Sequence, residues 1–311
     1  MKKFFVSSSL YYKVYELKGR TIYAPCDELR EKQKIILNFI KMVYHLSLNT
    51  KKAAMVHCER KWVLKTDIKS FYESFSKEQL QRAIHEFCET LLAEYKTEIS
   101  EEHIYNYCTV KDKLPTGALT SAHLANIAFK VMKIDDIISE FCRQNQVNFS
   151  RYMDDMTFST DNKAKLQETE KFVQKLLEHN GFTLNAEKTK YISDNKRQEV
   201  LGVLVNNKKT AISRVNKHTI RSVIFRYLKS VYLEERLGVN VLFVKKTGFS
   251  VITGYMSYIK DVDPKYYEKL KEYIANKISK LGLDNSDEII RLKKVLKIED
   301  KQLRLFDGEV S

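Results

Sequence analysis

Two adjacent carboxylates, Asp154 and Asp155, lie inside the largely apolar run Arg151-Tyr152-Met153-Asp154-Asp155-Met156-Thr157-Phe158-Ser159. Ionised acids are costly in such surroundings unless something compensates them. Neither Asp-Gly nor Asn-Gly is present to make the pair ordinary hairpin chemistry. A divalent cation would relieve the repulsion, because hard Mg²⁺ takes one or two carboxylates and fills its shell with substrate phosphates. Taken alone, the pair reads equally well as a solvated Asp-Asp turn between two strands. A third acid, Asp67, shifts that balance. It closes the strand-like segment Lys61–Asp67, precedes Ile68-Lys69-Ser70-Phe71-Tyr72, and could join the pair in a three-carboxylate site. Two metal ions ~3.5–4 Å apart would there clamp the attacking 3′-oxygen and the departing pyrophosphate of an in-line displacement. Asp67 is also a candidate helix N-cap, and spacing leaves that reading open.

The elements that must position these acids follow from apolar periodicity. Arg20–Pro25 reads as a short strand and Glu28–Leu46 as a helix with Ile36, Phe39, Ile40 and Val43 on one face. Lys61–Ile68 reads as a strand, with Trp62, Leu64 and Ile68 on one face and Asp67 on the other. Residues 77–110 are mostly helical by pattern, and 119–142 read as one further helix. Val147–Ser159 suggests two strands around a tight turn. A helix over 165–180 ends at Gly181, a C-terminal capping position. Strands are expected near 188–192 and 199–205. Helices follow over Asn216–Leu237 and Pro264–Leu281, then a last helix capped by Asn285 or Ser286 and a polar tail.

The 311 residues suffice for about two domains. With only 9 Gly and 3 Pro, long regular elements are expected in place of extended linkers. The formal charge of +14 favours a polyanionic partner, since neutralising phosphates releases counterions. Five dispersed cysteines without a C-x-x-C pair suggest free thiols in a reducing compartment. The Met1–Val6 start mimics a signal peptide but dissolves into Ser7-Ser8-Ser9, and no run approaches a membrane span. The expectation is a cytoplasmic chain with no membrane partner. An α+β part with a helical, basic end is expected, divided near 206–216 and assigned as 1–210 and 211–311.

In order, type and spacing these residues resemble the palm motifs of reverse transcriptases. Tyr152-Met153-Asp154-Asp155 resembles the YxDD box, and Asp67-Ile68-Lys69-Ser70-Phe71-Tyr72 the first palm motif. Leu114-Pro115-Thr116-Gly117-Ala118-Leu119-Thr120-Ser121 resembles the LPQG-x-x-x-S segment beside the incoming nucleotide. Gly181-Phe182-Thr183-Leu184-Asn185-Ala186-Glu187-Lys188-Thr189 resembles G-x-x-x-N-x-x-K-T, and Leu201-Gly202 the short strand that supports the primer end. The series spans roughly Arg20 to Val205. A narrower resemblance points to the bacterial retron type: Ala53-Ala54-Met55-Val56-His57 is similar to its NAxxH element, and Val200-Leu201-Gly202 to its VTG element. Thr116, Ala53, Ala122 and Met153 depart from the usual Gln, Asn, Pro and Ala, which leaves the detail of nucleotide selection at Thr116 open.

The resemblance implies a right-hand polymerase fold: fingers, a palm with an antiparallel sheet, and a helical thumb. Asp67, Asp154 and Asp155, with the Ile68 carbonyl, would hold two Mg²⁺ ions, Mn²⁺ being an alternative. Tyr72 would be the steric gate against ribonucleotides, with Phe71 its rival. Lys188 would protonate departing pyrophosphate, unless it is a surface lysine after a turn. Arg20 resembles a fingers residue that touches template or triphosphate, and Thr116 and Gly117 would border the dNTP; Gly117 is nearly as well read as a turn glycine. His57 fits a structural or RNA-contacting role better than a metal ligand. Lys217, Arg221, Arg226 and Lys229 would offer a basic stripe to a duplex backbone, or simply the solvated face of an amphipathic helix.

The family's partners would be a cognate structured noncoding RNA as template-primer, dNTPs, the RNA–DNA hybrid product and an effector protein. Its biology would be synthesis of a branched RNA–DNA hybrid (msDNA) from an RNA 2′-hydroxyl in antiphage defence. Group II intron-like or diversity-generating reverse transcriptases, and an inactive RNA-binding scaffold of the same fold, are the alternatives.

Overall fold

A computed structural model describes residues 11–17, 19–44, 49–238 and 242–298. The signal-like start and the polar tail therefore fall outside the described residues. Backbone packing divides the chain into two compact units, Met1–Gln198 and Glu199–Ser311.

The first unit opens with the antiparallel hairpin β1 (Tyr12–Leu17) and β2 (Arg20–Pro25). Helices α1 (Asp27–Val43) and α2 (Thr50–Met55) follow; α1 stops short of the expected Leu46, with Tyr44 already extended at its C-cap, and Leu46 itself lies outside the described residues. Then come β3 (Trp62–Asp67), the single turn α3 (Phe71–Ser74), α4 (Lys77–Tyr95) and α5 (Glu101–Cys108). Helices α6 (Ser121–Val131) and α7 (Ile134–Gln144) precede β4 (Asn148–Tyr152), β5 (Asp155–Thr160), α8 (Lys163–His179) and β6 (Lys190–Ser193).

The main sheet has the order β4-β5-β3-β6, every neighbouring pair antiparallel. Residues Met156–Thr160 of β5 are all buried, as are Val63, Leu64, Thr66 and Asp67 of β3. Covering on both faces mutes the two-residue alternation that a half-exposed strand would show. Beside the sheet, Phe71, Phe75, Phe129 and Phe182 join with ring centroids 5.0–6.4 Å apart, bringing α3, α6 and the loop after α8 into one core.

The expected single helix over 119–142 is two. Lys133 adopts φ +55°, and Ile134 restarts the helix with Asp135 and Asp136 in its first turn, where acids suit the positive end of the dipole. The break lets Ile134, Ile138 and Cys142 turn a fresh face to the core.

The second unit begins with three short antiparallel strands, β7 (Glu199–Val200), β8 (Val203–Leu204) and β9 (Ala211–Ile212). Leu201-Gly202, expected in a strand, is instead the two-residue turn between β7 and β8. Both residues have positive φ, +50° and +81°, the pattern of a tight hairpin turn that needs glycine. Helices α9 (Arg214–Leu237), α10 (Leu242–Val262), α11 (Pro264–Leu281) and α12 (Asp287–Leu296) complete it, with Ser286 at the N-cap of the last. Asp263 fastens the small sheet to the bundle: one carboxylate oxygen accepts from Ile212 N–H (3.1 Å), the other from Tyr266 N–H (3.0 Å) at the N-terminus of α11. The units therefore divide ahead of β7, whereas the sequence-based boundary lay at 210/211.

Buried residues recur every three or four positions on α9 (Ile220, Ile224, Tyr227, Val231) and every four on α11 (Tyr266, Leu270, Ile274, Ile278). Where α9 meets α10, Gly248 lies against the buried Tyr227 ring; a Cβ there would sit 2.6 Å from Cδ2. The ring is further fixed by its hydroxyl, which donates to Glu288 at 2.9 Å. Gly248→Ala is expected to destabilise the bundle by about 1–3 kcal/mol, the usual cost of overpacking. A urea midpoint equal to wild type would contradict that close approach.

Candidate active site

Strand pairing brings the three acids to one end of the main sheet. Asp67 stands opposite Asp155 in the β3–β5 register, and the Met153-Asp154 turn joins β4 to β5 with Tyr152 opposite Asp155. The Ile68 N–H donates to the Asp154 carbonyl at 3.1 Å, tying the turn to the end of β3. Asp67 is buried and Asp155 exposed. The N-cap of α3 is Ser70, so Asp67 is not a helix cap.

The segment Thr183–Thr189 is laced to the same strand end. Lys69 N–H donates to Thr183 O (2.8 Å), Asn185 N–H to Asp67 O (2.7 Å), and the Thr66 and Thr189 hydroxyls meet at 2.8 Å. This lacing delivers Lys188, whose Nζ donates to Asp67 Oδ2 at 2.7 Å. The lysine is thus part of the acidic site.

Burial first, then the charges of Asp67 and Asp155, push the Asp154 carboxyl up to about 6. Asp155, although exposed as a residue, is also raised, first by partial desolvation of its carboxyl at the sheet end and then by Asp67, against the opposing pull of Lys65 and Lys188. A set of oxygen donors that repel one another is what a hard divalent cation relieves, so the residues fit Mg²⁺. Among the described residues no three His, Cys, Asp or Glu side chains form a ready-made metal cage. The arrangement suits an ion that takes few protein ligands and completes its shell with phosphate oxygens.

The sequence profile described as reverse transcriptase (RNA-dependent DNA polymerase) matches residues 17–205. The chain belongs to that family. The Retron Ec83 reverse transcriptase of Escherichia coli is 25% identical over 291 residues, covering 84% of this chain and 86% of that one. The Retron Ec86 reverse transcriptase, also of Escherichia coli, is 24% identical over 288 residues, covering 87% and 82%. The chain is a retron-type reverse transcriptase, an RNA-directed DNA polymerase. Among solved structures, apo telomerase from Candida tropicalis matches with a TM-score of 0.50 at 14% identity, covering 99% of this chain and 70% of that one. That likeness is one of fold, and the fold is the right-hand polymerase class expected from the motifs.

In this reverse transcriptase the two candidate gate residues part company. Ser70 adopts φ +47° and ends the strand, so Phe71 and Tyr72 lie on a helical turn and not on alternating strand faces. Phe71 is buried among the core rings, while the half-buried Tyr72 feels the charge of Asp154. Thr116 and Gly117 lie against the β1–β2 hairpin: Tyr23 N–H donates to Thr116 O at 2.8 Å. A Cβ on Gly117 (φ +109°) would fall 2.9 Å from Tyr23 O, so this glycine serves a close backbone approach within the protein. Arg20 stands exposed at the hairpin tip, paired with Leu17.

His57 is not on a nucleic-acid surface. It is fully buried, with Nδ1 2.7 Å from Ser159 Oγ and Nε2 2.8 Å from Ser150 Oγ, which corrects the RNA-contact expectation in favour of the structural one. In the second unit, Lys217 is engaged by Asp263 (3.1 Å) and by the Tyr266 ring (4.3 Å), while Arg221, Arg226 and Lys229 are exposed. At about 100° per residue, Arg226 points roughly half a turn away from Lys217, so the four cations do not form one stripe.

Two residues with parts in this architecture went unassigned in the sequence. Gln33, wholly buried in the stripe Leu29-Gln33-Ile36-Ile40, donates to Tyr12 Oη and Tyr107 O (both 2.8 Å) and accepts from Leu119 N–H (3.2 Å). An amide inside an apolar helical stripe was its signal. Arg151, beside the acidic pair, is the other. Among the described residues no helix is long and apolar enough to cross a membrane.

Proposed function

We propose that this reverse transcriptase copies part of a cognate structured noncoding RNA into DNA, primed from an RNA 2′-hydroxyl to give a branched RNA–DNA hybrid (msDNA). We further propose that it works in the cytoplasm, in antiphage defence, beside a separate effector protein. The names of its relatives and the His57 and Val200-Leu201-Gly202 elements support the retron part of this reading.

The catalytic part is carried by one observation: Asp67, Asp154 and Asp155 meet at a single sheet end with Lys188 on Asp67. Asp67, Asp154, Asp155 and the Ile68 carbonyl would hold Mg²⁺, or Mn²⁺ in its place, which when bound supplies Lewis-acid stabilisation of the reacting phosphate. Lys188 balances the charge of Asp67 and would give a proton to departing pyrophosphate. Tyr72, half-buried and close enough to feel the Asp154 charge, would exclude a 2′-hydroxyl on the incoming nucleotide. Thr116, Gly117 and Arg20 would border the nucleotide from the fingers side. Arg221, Arg226 and Lys229 would contact phosphates of the template–primer.

The test is primer extension on an RNA template with dNTPs and Mg²⁺. Wild type is expected to extend and Asp154→Ala with Asp155→Ala to be inactive while still binding RNA. Equal extension by both proteins would overturn the catalytic assignment.

A further inference from the structure

The turn that carries Asp154 is built on an unfavourable backbone. Met153 adopts φ +58°, at the first central position of a two-residue hairpin loop where glycine is normally found. Residues held in such conformations persist only where their surroundings over-determine them.

Here the Ile68 N–H holds the Asp154 carbonyl, and one guanidinium holds the Met153 carbonyl. Arg151 Nη1 donates to the Met153 carbonyl and to Asn126 Oδ1, both at 2.9 Å. Its Nε and Nη2 form a fork on Asp135, at 2.7 Å to Oδ1 and 2.6 Å to Oδ2. The group also lies 4.5 Å from the centroid of the Phe129 ring, and its side chain is only 8% exposed. Asn126 Nδ2 reaches Met153 Sδ at 3.6 Å, a second hold on the same residue. Asp135 comes from the first turn of α7, Asn126 and Phe129 from α6. A salt bridge serving only to join α7 to the sheet would need the fork alone. The remaining nitrogen is aimed at the one carbonyl whose peptide plane includes the Asp154 nitrogen.

We propose that Arg151 is a positioning residue for nucleotidyl transfer: clamped by Asp135 and Asn126, it locks the Met153–Asp154 peptide and so sets the direction in which Asp154 and Asp155 present their carboxylates. The proposal rests on the catalytic reading of those two acids. Lysine cannot replace this arginine, because a point charge with three donors does not span a planar fork and a backbone carbonyl together.

The experiment compares wild type, Arg151→Lys, Asn126→Ala and Asp154→Ala in primer extension across a Mg²⁺ titration. Rates are taken per active site from burst amplitudes, with template–primer affinity and melting temperature measured separately. In Arg151→Lys the per-site kcat is expected to fall roughly 10- to 100-fold, the usual effect of losing an outer-shell partner. Half-saturating Mg²⁺ is expected to rise, with template–primer affinity unchanged. Asn126→Ala should move both quantities in the same direction by less. A purely structural role would lower the active fraction or melting temperature and leave per-site rate and Mg²⁺ dependence at wild-type values; that result would overturn the proposal. Should Arg151→Lys fail to fold, Asn126→Ala decides by the same criterion. An Asp154→Ala protein as active as wild type would overturn the catalytic reading, and this inference with it.

Discussion

The Asp67→Asn enzyme is expected to fold, to bind template–primer as wild type does, and to extend it at least about 1,000-fold more slowly, a loss of several kcal/mol of transition-state stabilisation. Asparagine keeps the shape and one acceptor of aspartate but loses the charge that a hard cation needs. Folding should survive because the partner left behind, Lys188, has a side chain 47% exposed and can be solvated. The backbone bonds that hold the site, Asn185 N–H to Asp67 O and Ile68 N–H to Asp154 O, do not involve the carboxylate. Single-turnover extension and RNA-binding assays on the same preparation separate the two effects. A rate within tenfold of wild type would remove Asp67 from the chemistry. Lys188→Ala adds a second discrimination. If Lys188 acts only as counter-ion to Asp67, excess Mg²⁺ should restore the rate; if it is the proton donor, it should not.

The acids were legible because their chemistry leaves a trace in one dimension. Carboxylates inside apolar strands are costly, and Asp67, Asp154 and Asp155 fall within short runs whose order is distinctive. The hydrophobic periods of α8, α9 and α11 were equally plain. What escaped depends on partners far apart in the chain. Asp135 is 16 residues from Arg151 and Asn126 is 25, and no local pattern announces that they share a guanidinium. The Lys133 break between α6 and α7 was hidden because no Gly or Pro marks it, and backbone conformation is decided there by what Ile134 and Ile138 pack against. Leu201-Gly202 was read as strand because two-residue strands are too short to show a period, although a glycine inside the apolar run Val200-Leu201-Gly202-Val203 was a sign of a turn. The choice between Phe71 and Tyr72 was likewise posed on strand geometry, whereas the positive φ of Ser70 had already ended the strand.

Lowering the pH from 7 to 5 is expected to cost the wild-type enzyme about 2 kcal/mol of folding stability more than it costs His57→Gln, taking about 1.4 kcal/mol per pH unit below the unfolded-state value. His57 is fully buried, and burial first, then the charge of Arg60, hold its imidazole down from 6.5 to about 3. Between those values the unfolded chain binds a proton that the native chain refuses. Stability from this group is therefore complete above about 6.5 and drains away as the pH falls towards 3. The hydrogen bonds do not set the sign, because the Ser150 and Ser159 hydroxyls can rotate to serve either protonation state. Desolvation of the charged ring does. Asp154 titrates in the same window with the opposite sign, since its native value of about 6 lies above that of an unfolded carboxylate. Its contribution is common to both proteins and cancels in the comparison. Urea midpoints of the two proteins at pH 7 and pH 5 give the difference directly. Parallel losses would mean that the imidazole is protonated in the native state, and hence that the palm sheet admits water as far as the serine pair.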